Sequence, residues 1–170
     1  MTEVDLESAS IPALMELHGA VLEQLKSRGV IRSYNNPGAD YAETLFCSAF
    51  GWHQAAASKA GYDATDADGT RYQIKCRRLT RENGSRQLGA MRDLEGNRFD
   101  VLAAVLFDER YNVHRAALIP HSRLAGPLIR YSKHVRASIM LLQDEVWAWE
   151  GVEDVTAELA RTAQALWRAS

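Results

Sequence analysis

From Phe99 to Phe107 the chain reads Phe-Asp-Val-Leu-Ala-Ala-Val-Leu-Phe, apolar at every position but Asp100. A short apolar run without polar alternation, rich in β-branched and large residues, predicts a central strand covered on both faces. That restricts the chain to layered architectures in which other elements pack above and below a sheet. Asp108-Glu109-Arg110 then turns the chain, and Asn112 to Ile119 is expected to pair back. Upstream, Tyr62 to Thr65 and Thr70 to Arg77 read as a hairpin around Asp66-Ala67-Asp68-Gly69, a turn signal of the Asp-Gly type.

The remaining pattern supplies the covering layers. Ser10 caps a helix whose first turn tolerates Pro12, with Leu14, Leu17, Val21, Leu22 and Leu25 at helical spacing and Gly29 as its stop. A second helix runs from near Asp40 to Phe50 and ends at Gly51. Its stripe is Tyr41, Leu45, Phe46 and Ala49, with Glu43 in the first turn, where the helix dipole favours an acid. Trp52 to Ala57 allows a short strand, and Gln87 to Leu94 is expected to form a short helix capped by Ser85. A short helix is expected after Pro120, a strand over Ser138 to Leu142, and a final helix from Val155 to Trp167 capped by Asp154. The reading is α/β: a mixed β-sheet flanked by helices, with one helix added at each end. At 170 residues it is read as one domain: a helical extension over 10–34, a core over 35–120, and a C-terminal strand and helix over 121–170.

Charge says more by position than by sum. The formal net charge is -2, yet Arg71, Lys75, Arg77, Arg78, Arg81, Arg86 and Arg92 are opposed only by Glu82 within their own stretch. A second basic stretch holds Arg123, Arg130, Lys133 and Arg136, while acids gather near the two ends of the chain. Such segregation can build one positive face. No run approaches the roughly 20 apolar residues of a membrane helix, and the acidic start does not read as a secretory signal. Cys47 and Cys76 read as buried reduced thiols, which implies a cytoplasmic protein. The five histidines lack zinc spacing. An EF-hand over the Asp66–Gly69 turn would put Ala64 first and Lys75 last, where acids are required. Trp147, Trp149 and Trp167 are read as core or interface aromatics.

The candidate chemistry lies in the hairpin. Gln73, Lys75 and Arg77 share one face of the second strand, and Tyr72, Ile74 and Cys76 share the other. Asp63, on the facing segment, can lie beside Gln73 and Lys75. An acid, an amide oxygen and an ammonium at one point suit a hard cation and an activated water.

In order, a helix Glu43, a strand Asp63, then Gln73-Ile74-Lys75, a basic segment and an apolar strand resemble the PD-(D/E)xK nuclease superfamily, the restriction-endonuclease-like fold. The resemblance covers roughly Asn35 to Ile119 and departs from the motif in two ways: no proline precedes Asp63, and Gln73 replaces a carboxylate. It implies a Mg²⁺-dependent DNA endonuclease (Mn²⁺ a possible substitute) with Glu43, Asp63, Gln73 and Lys75 as catalytic residues. The metal ligands it implies are Asp63, Glu43, Gln73 and the backbone carbonyl of Ile74. Lys59, Arg77, Arg78, Arg81, Arg86 and Gln87 would contact the nucleic acid, DNA before RNA. Cutting both strands calls for two sites, so a homodimer is expected. The alternatives are an inactive nuclease-like binding module and a protein-interaction subunit.

Overall fold

The computed structural model describes residues 5–56 and 61–168, with side chains to residue 166. Its centre is β4 (Val101–Phe107), whose residues from Leu102 to Phe107 have no solvent exposure. On one side β4 pairs in parallel with β3 (Arg71–Arg78), and on the other it pairs antiparallel with β5 (Val113–Pro120). Three two-residue strands complete the sheet: β1 (His53–Gln54), β2 (Ala64–Thr65) and β8 (Glu153–Asp154). The order is β1-β2-β3-β4-β5-β8, mixed, with very short strands at both edges. Short edges leave little unpaired backbone for another chain to add to.

Three α-helices accompany this sheet: α1 (Ile11–Ser27), α2 (Gly38–Phe50) and α3 (Thr156–Arg168). Ser10 caps α1 by accepting from the Ala13 N–H, and Gly51, at φ 68°, takes the left-handed position that ends α2. Asp154 accepts from the Thr156 N–H at the start of α3. Helices α2 and α3 cover the sheet face that carries Tyr72, Ile74, Ala103, Val105 and Phe107. Along α3, Val155, Leu159 and Ala163 are buried as the spacing predicts, but Leu166 is exposed.

The opposite face is covered differently. The spacing of Leu88 and Met91 predicts a helix over Gln87 to Leu94, and the chain is extended there instead, leaving only a 3-10 turn at Leu94–Gly96. A second, two-stranded sheet of β6 (Ile129–Ser132) and β7 (Ala137–Met140) supplies the reason. The Leu88 N–H donates to the Met140 carbonyl at 2.9 Å, Met91 and Ser138 exchange bonds of 2.8 and 2.9 Å, and the Leu142 N–H donates to the Arg86 carbonyl at 3.0 Å. An open strand edge offers these groups partners, and Gly89 weakens the helical alternative. Leu88, Met91, Met140 and Leu142 then bury against Leu102, Ala104 and Leu106. The short helix expected after Pro120 is a 3-10 turn, His121–Arg123.

The tryptophan reading holds where side chains are described: Trp147 and Trp149 pack on this second cluster, and Trp147 donates to the Ala116 carbonyl. The side chain of Trp167 lies outside the described residues. No helix among the described residues is long and apolar enough to cross a membrane.

Candidate active site

An aromatic ladder fixes the thin end of the sheet. Trp52 follows the Gly51 stop of α2 and stacks on Phe46 and Phe50 of that helix at 5.8 and 5.1 Å, and on Tyr72 of β3 at 3.6 Å. Rings of this size dominate local packing. Here they join α2, β1 and β3 into one corner. Tyr72 also donates its hydroxyl to Asp66 in the β2–β3 turn, and burial together with that acid pushes its phenol up to about 12.

Asp63 stands at this corner, immediately before β2. Its backbone keeps the ladder: the Asp63 N–H donates to the Tyr72 carbonyl at 2.7 Å, and its own carbonyl accepts from Ala55 at 2.8 Å. Its side chain replaces the next rung. Oδ2 accepts from the Ile74 N–H at 2.7 Å and from the Gln73 side-chain amide, leaving Oδ1 without a hydrogen bond among the described residues. Because Gln73 uses its Nε2 on Asp63, its Oε1 is uncommitted. The N–H and C=O of one strand residue point the same way, so the Ile74 carbonyl faces the side on which Asp63 lies.

Glu43 approaches from α2 and is the buried charged residue of the described chain, at 8% exposure. Its Oε2 accepts from Gln54 Nε2 at 2.8 Å and from Arg32, which also bonds the Ala55 carbonyl at 3.0 Å. Among the described residues its Oε1 has no hydrogen bond. Burial holds the Glu43 carboxyl above its ordinary range, the negative charge of Asp63 pushes the same way, and Gln54 and Arg32 only partly offset them. The same burial pushes the free thiols of Cys47 and Cys76 up to about 11, which leaves them poor nucleophiles.

The four expected site residues are therefore joined unequally. Asp63 touches Gln73 and lies within electrostatic reach of Glu43. Lys75 shares the Gln73 face of β3, opposite the face that α2 covers, and has no hydrogen bond or ion pair among the described residues. Its Cδ lies 3.7 Å from where a Cβ on Gly89 would stand, an ordinary contact distance, so the lysine stem runs near this glycine.

The expected nucleic-acid contacts divide similarly. Arg77 donates to the Ser85 carbonyl, and Arg78 to the Glu109 carbonyl while stacking on Tyr111 at 4.5 Å. Arg86 is bound to Asp144 at 2.6 Å, and the Gln87 Oε1 accepts from Arg130. Arg81 has no hydrogen bond or ion pair among the described residues, and Lys59 lies outside them. Arg115 also binds Asp144, and Arg123 binds Glu150. The basic and acidic blocks of the sequence thus mix in part.

Arg32 and Gln54 are functional candidates that sequence reading missed. Each lies 11 residues from Glu43, on opposite sides, and no local pattern links them. No protein-family model and no curated protein matches the chain.

Proposed function

We propose that this chain is a Mg²⁺-dependent endonuclease of the restriction-endonuclease-like fold, acting on DNA. The observation that carries the reading is Asp63, whose carboxylate is held by β3 beside Gln73 and near the buried Glu43. The parallel pairing of β3 with a buried β4, after an antiparallel β1-β2-β3 segment, supports the same reading.

The donor chemistry fits the cation. Oδ1 of Asp63, Oε1 of Glu43, Oε1 of Gln73 and the Ile74 carbonyl are hard oxygens, and Mg²⁺ needs only one or two carboxylates beside water and phosphate. Among the described residues no cluster of three His, Cys, Asp or Glu side chains forms, so the amide and backbone oxygens are needed. When bound, the cation (Mg²⁺ or Mn²⁺) supplies positive charge against a scissile phosphate. Asp63 is the main anchor. Glu43, whose burial raises its proton affinity, stands beside that anchor as a second carboxylate. Lys75 offsets negative charge that builds on the phosphate. Arg77 and Arg81, which have no carboxylate partners, hold the sugar–phosphate backbone. Cleavage of both strands calls for two sites, and a second copy of the chain supplies the other.

One observation favours a second reading. Arg32 already neutralises Glu43, and Gln73 stands in place of an acid, so the site is short of negative charge. On that reading the module holds DNA without cutting it.

Plasmid cleavage with Mg²⁺ or Mn²⁺ separates the two. Wild type should nick or linearise DNA, and Asp63→Ala and Lys75→Ala should each lower the rate by at least about a hundredfold. Cleavage that persists in both variants refutes this site. Salt-sensitive binding without cleavage supports the second reading, and neither binding nor cleavage leaves a protein-interaction role.

A further inference from the structure

The hairpin of β6 and β7 is basic throughout. From Ile129 to Ser138 the sequence is Ile-Arg-Tyr-Ser-Lys-His-Val-Arg-Ala-Ser, with no acid. Ala137, Ile139 and Met140 turn inward and are buried, whereas Arg130, Tyr131, Lys133, His134 and Arg136 are exposed. The turn over 133–136 holds Arg136 at φ 49°, a left-handed position for a residue with a side chain.

These cations differ from several other arginines of the molecule. Arg71, Arg86, Arg98, Arg115 and Arg123 each bind a carboxylate. Lys133 and Arg136 bind nothing among the described residues, and Arg130 meets only the neutral Gln87 at 3.3 Å. Tyr131 is 65% exposed and makes no ring contact. An uncharged partner would leave three cations unused. A protein partner would be expected to cover more apolar area than Tyr131 and Val135 provide.

Register places this arm relative to the site. Gln87 bridges Leu141 and Met91 bridges Ser138, antiparallel. The turn of the hairpin therefore lies past Met91, and the bridged segment includes Gly89, near which the Lys75 stem runs. The arm and Lys75 share one face of the large sheet.

We propose that the β6–β7 ribbon is an arm that enters the major groove of duplex DNA, with Arg130, Lys133 and Arg136 on the phosphates and Tyr131 against the groove wall. A two-stranded ribbon matches the B-form major groove, roughly 12 Å wide. The major groove of duplex RNA is too narrow to admit it. The assignment rests on the DNA reading above but not on turnover.

The test uses the full chain, fluorescence anisotropy and a 20-base-pair DNA duplex in EDTA, with cleavage of the same duplex followed separately in Mg²⁺. Each lost phosphate contact removes about 0.9 from the slope of log K against log salt. Arg130→Gln/Lys133→Gln/Arg136→Gln should therefore flatten the slope by about 2 to 3 and weaken binding by roughly tenfold or more at moderate salt. Tyr131→Ala should weaken binding without changing the slope. An unchanged slope in the triple variant, with an unchanged melting curve, overturns the arm and leaves the nuclease reading intact. Absent cleavage by a wild type whose binding still depends on the three cations supports the arm and removes turnover. Equal, arm-dependent binding to duplex RNA overturns the groove assignment, and a wild type that binds no duplex overturns both readings.

Discussion

Helices α1 and α2 come from the same kind of sequence and end in opposite surroundings. Both carry apolar residues at helical spacing, and both are closed by a glycine at positive φ, Gly29 and Gly51. In α2 the stripe is consumed: Ala42, Leu45 and Phe46 have no exposure, and Glu43 is carried into the corner with them. In α1 only Leu22 is buried, while Ile11, Leu14, Met15 and Val21 remain exposed at 78%, 37%, 65% and 47%. The helix is held at its C-terminal end, where the Val30 and Ile31 N–H groups donate to the Leu25 carbonyl and Tyr34 donates to Glu23. Periodicity tells which residues share a face. Only the rest of the chain decides whether anything covers that face.

The largest expected effect tests the α2 side of this contrast. Phe46→Ala removes a fully buried ring that stacks on Trp52 and should destabilise the fold by about 3–5 kcal/mol, a fall in Tm of roughly 10 °C for a chain of this size. Urea denaturation measures it. A loss below about 1 kcal/mol would mean that α2 is no better anchored than α1.

Next comes the charge that α2 carries inward. Arg32→Ala leaves Glu43 with Gln54 alone and should cost roughly 1–2 kcal/mol at pH 7, reduced from a fully buried pair because Arg32 is 36% exposed. The sign of the pH dependence follows from the raised Glu43 carboxyl. The folded chain holds that proton more tightly than the unfolded one, so the stability linked to it is complete below the ordinary glutamate range. It is lost as pH rises through the folded value. Glu43→Gln has no proton to lose. It should match wild type near pH 4 and be the more stable of the two at pH 7, while abolishing metal-dependent cleavage. A variant less stable than wild type at pH 7 would show that Arg32 outweighs burial and Asp63. Replacing Gln73 by Glu sharpens the same point: if the corner lacks negative charge when a cation binds, Gln73→Glu should tighten Mn²⁺ binding by calorimetry.

How much of this was legible follows the same division between faces and their partners. The caps at Ser10 and Gly51, the β3 and β5 strands, the buried β4 and the alternation of Gln73 and Lys75 against Tyr72 and Ile74 are local patterns, and the chain follows them. The extended stretch from Gln87 to Met91 was illegible because its residues are spaced for a helix, and its hydrogen bonds go to β7, about 50 residues away. β6 has only four residues, with Ile129 and Tyr131 alternating with Arg130 and Ser132, too short a pattern to read as a strand on its own. Asp63 beside Gln73 could be anticipated from the hairpin; Arg32 and Gln54 beside Glu43 could not, because three separate elements bring them together.

The smallest expected effect on stability falls on α1. Its overhanging residues touch solvent in the single chain, so Leu14→Ser/Met15→Ser/Val21→Ser should move the unfolding free energy of the monomer by no more than about 0.5 kcal/mol per site. The consequence for assembly should be larger. An exposed apolar stripe on a helix is usually covered by a partner, and if the chain cuts both strands as proposed, that partner is a second copy of it. Sedimentation velocity should then show a dimer for wild type and a monomer for the triple variant, each with intact circular dichroism. The order of cleavage products should change with it, from linear plasmid to accumulated nicked circles, because single chains cut one strand per encounter. A triple variant that loses several kcal/mol at concentrations too low for self-association would show that α1 packs on its own chain, and the contrast with α2 would disappear.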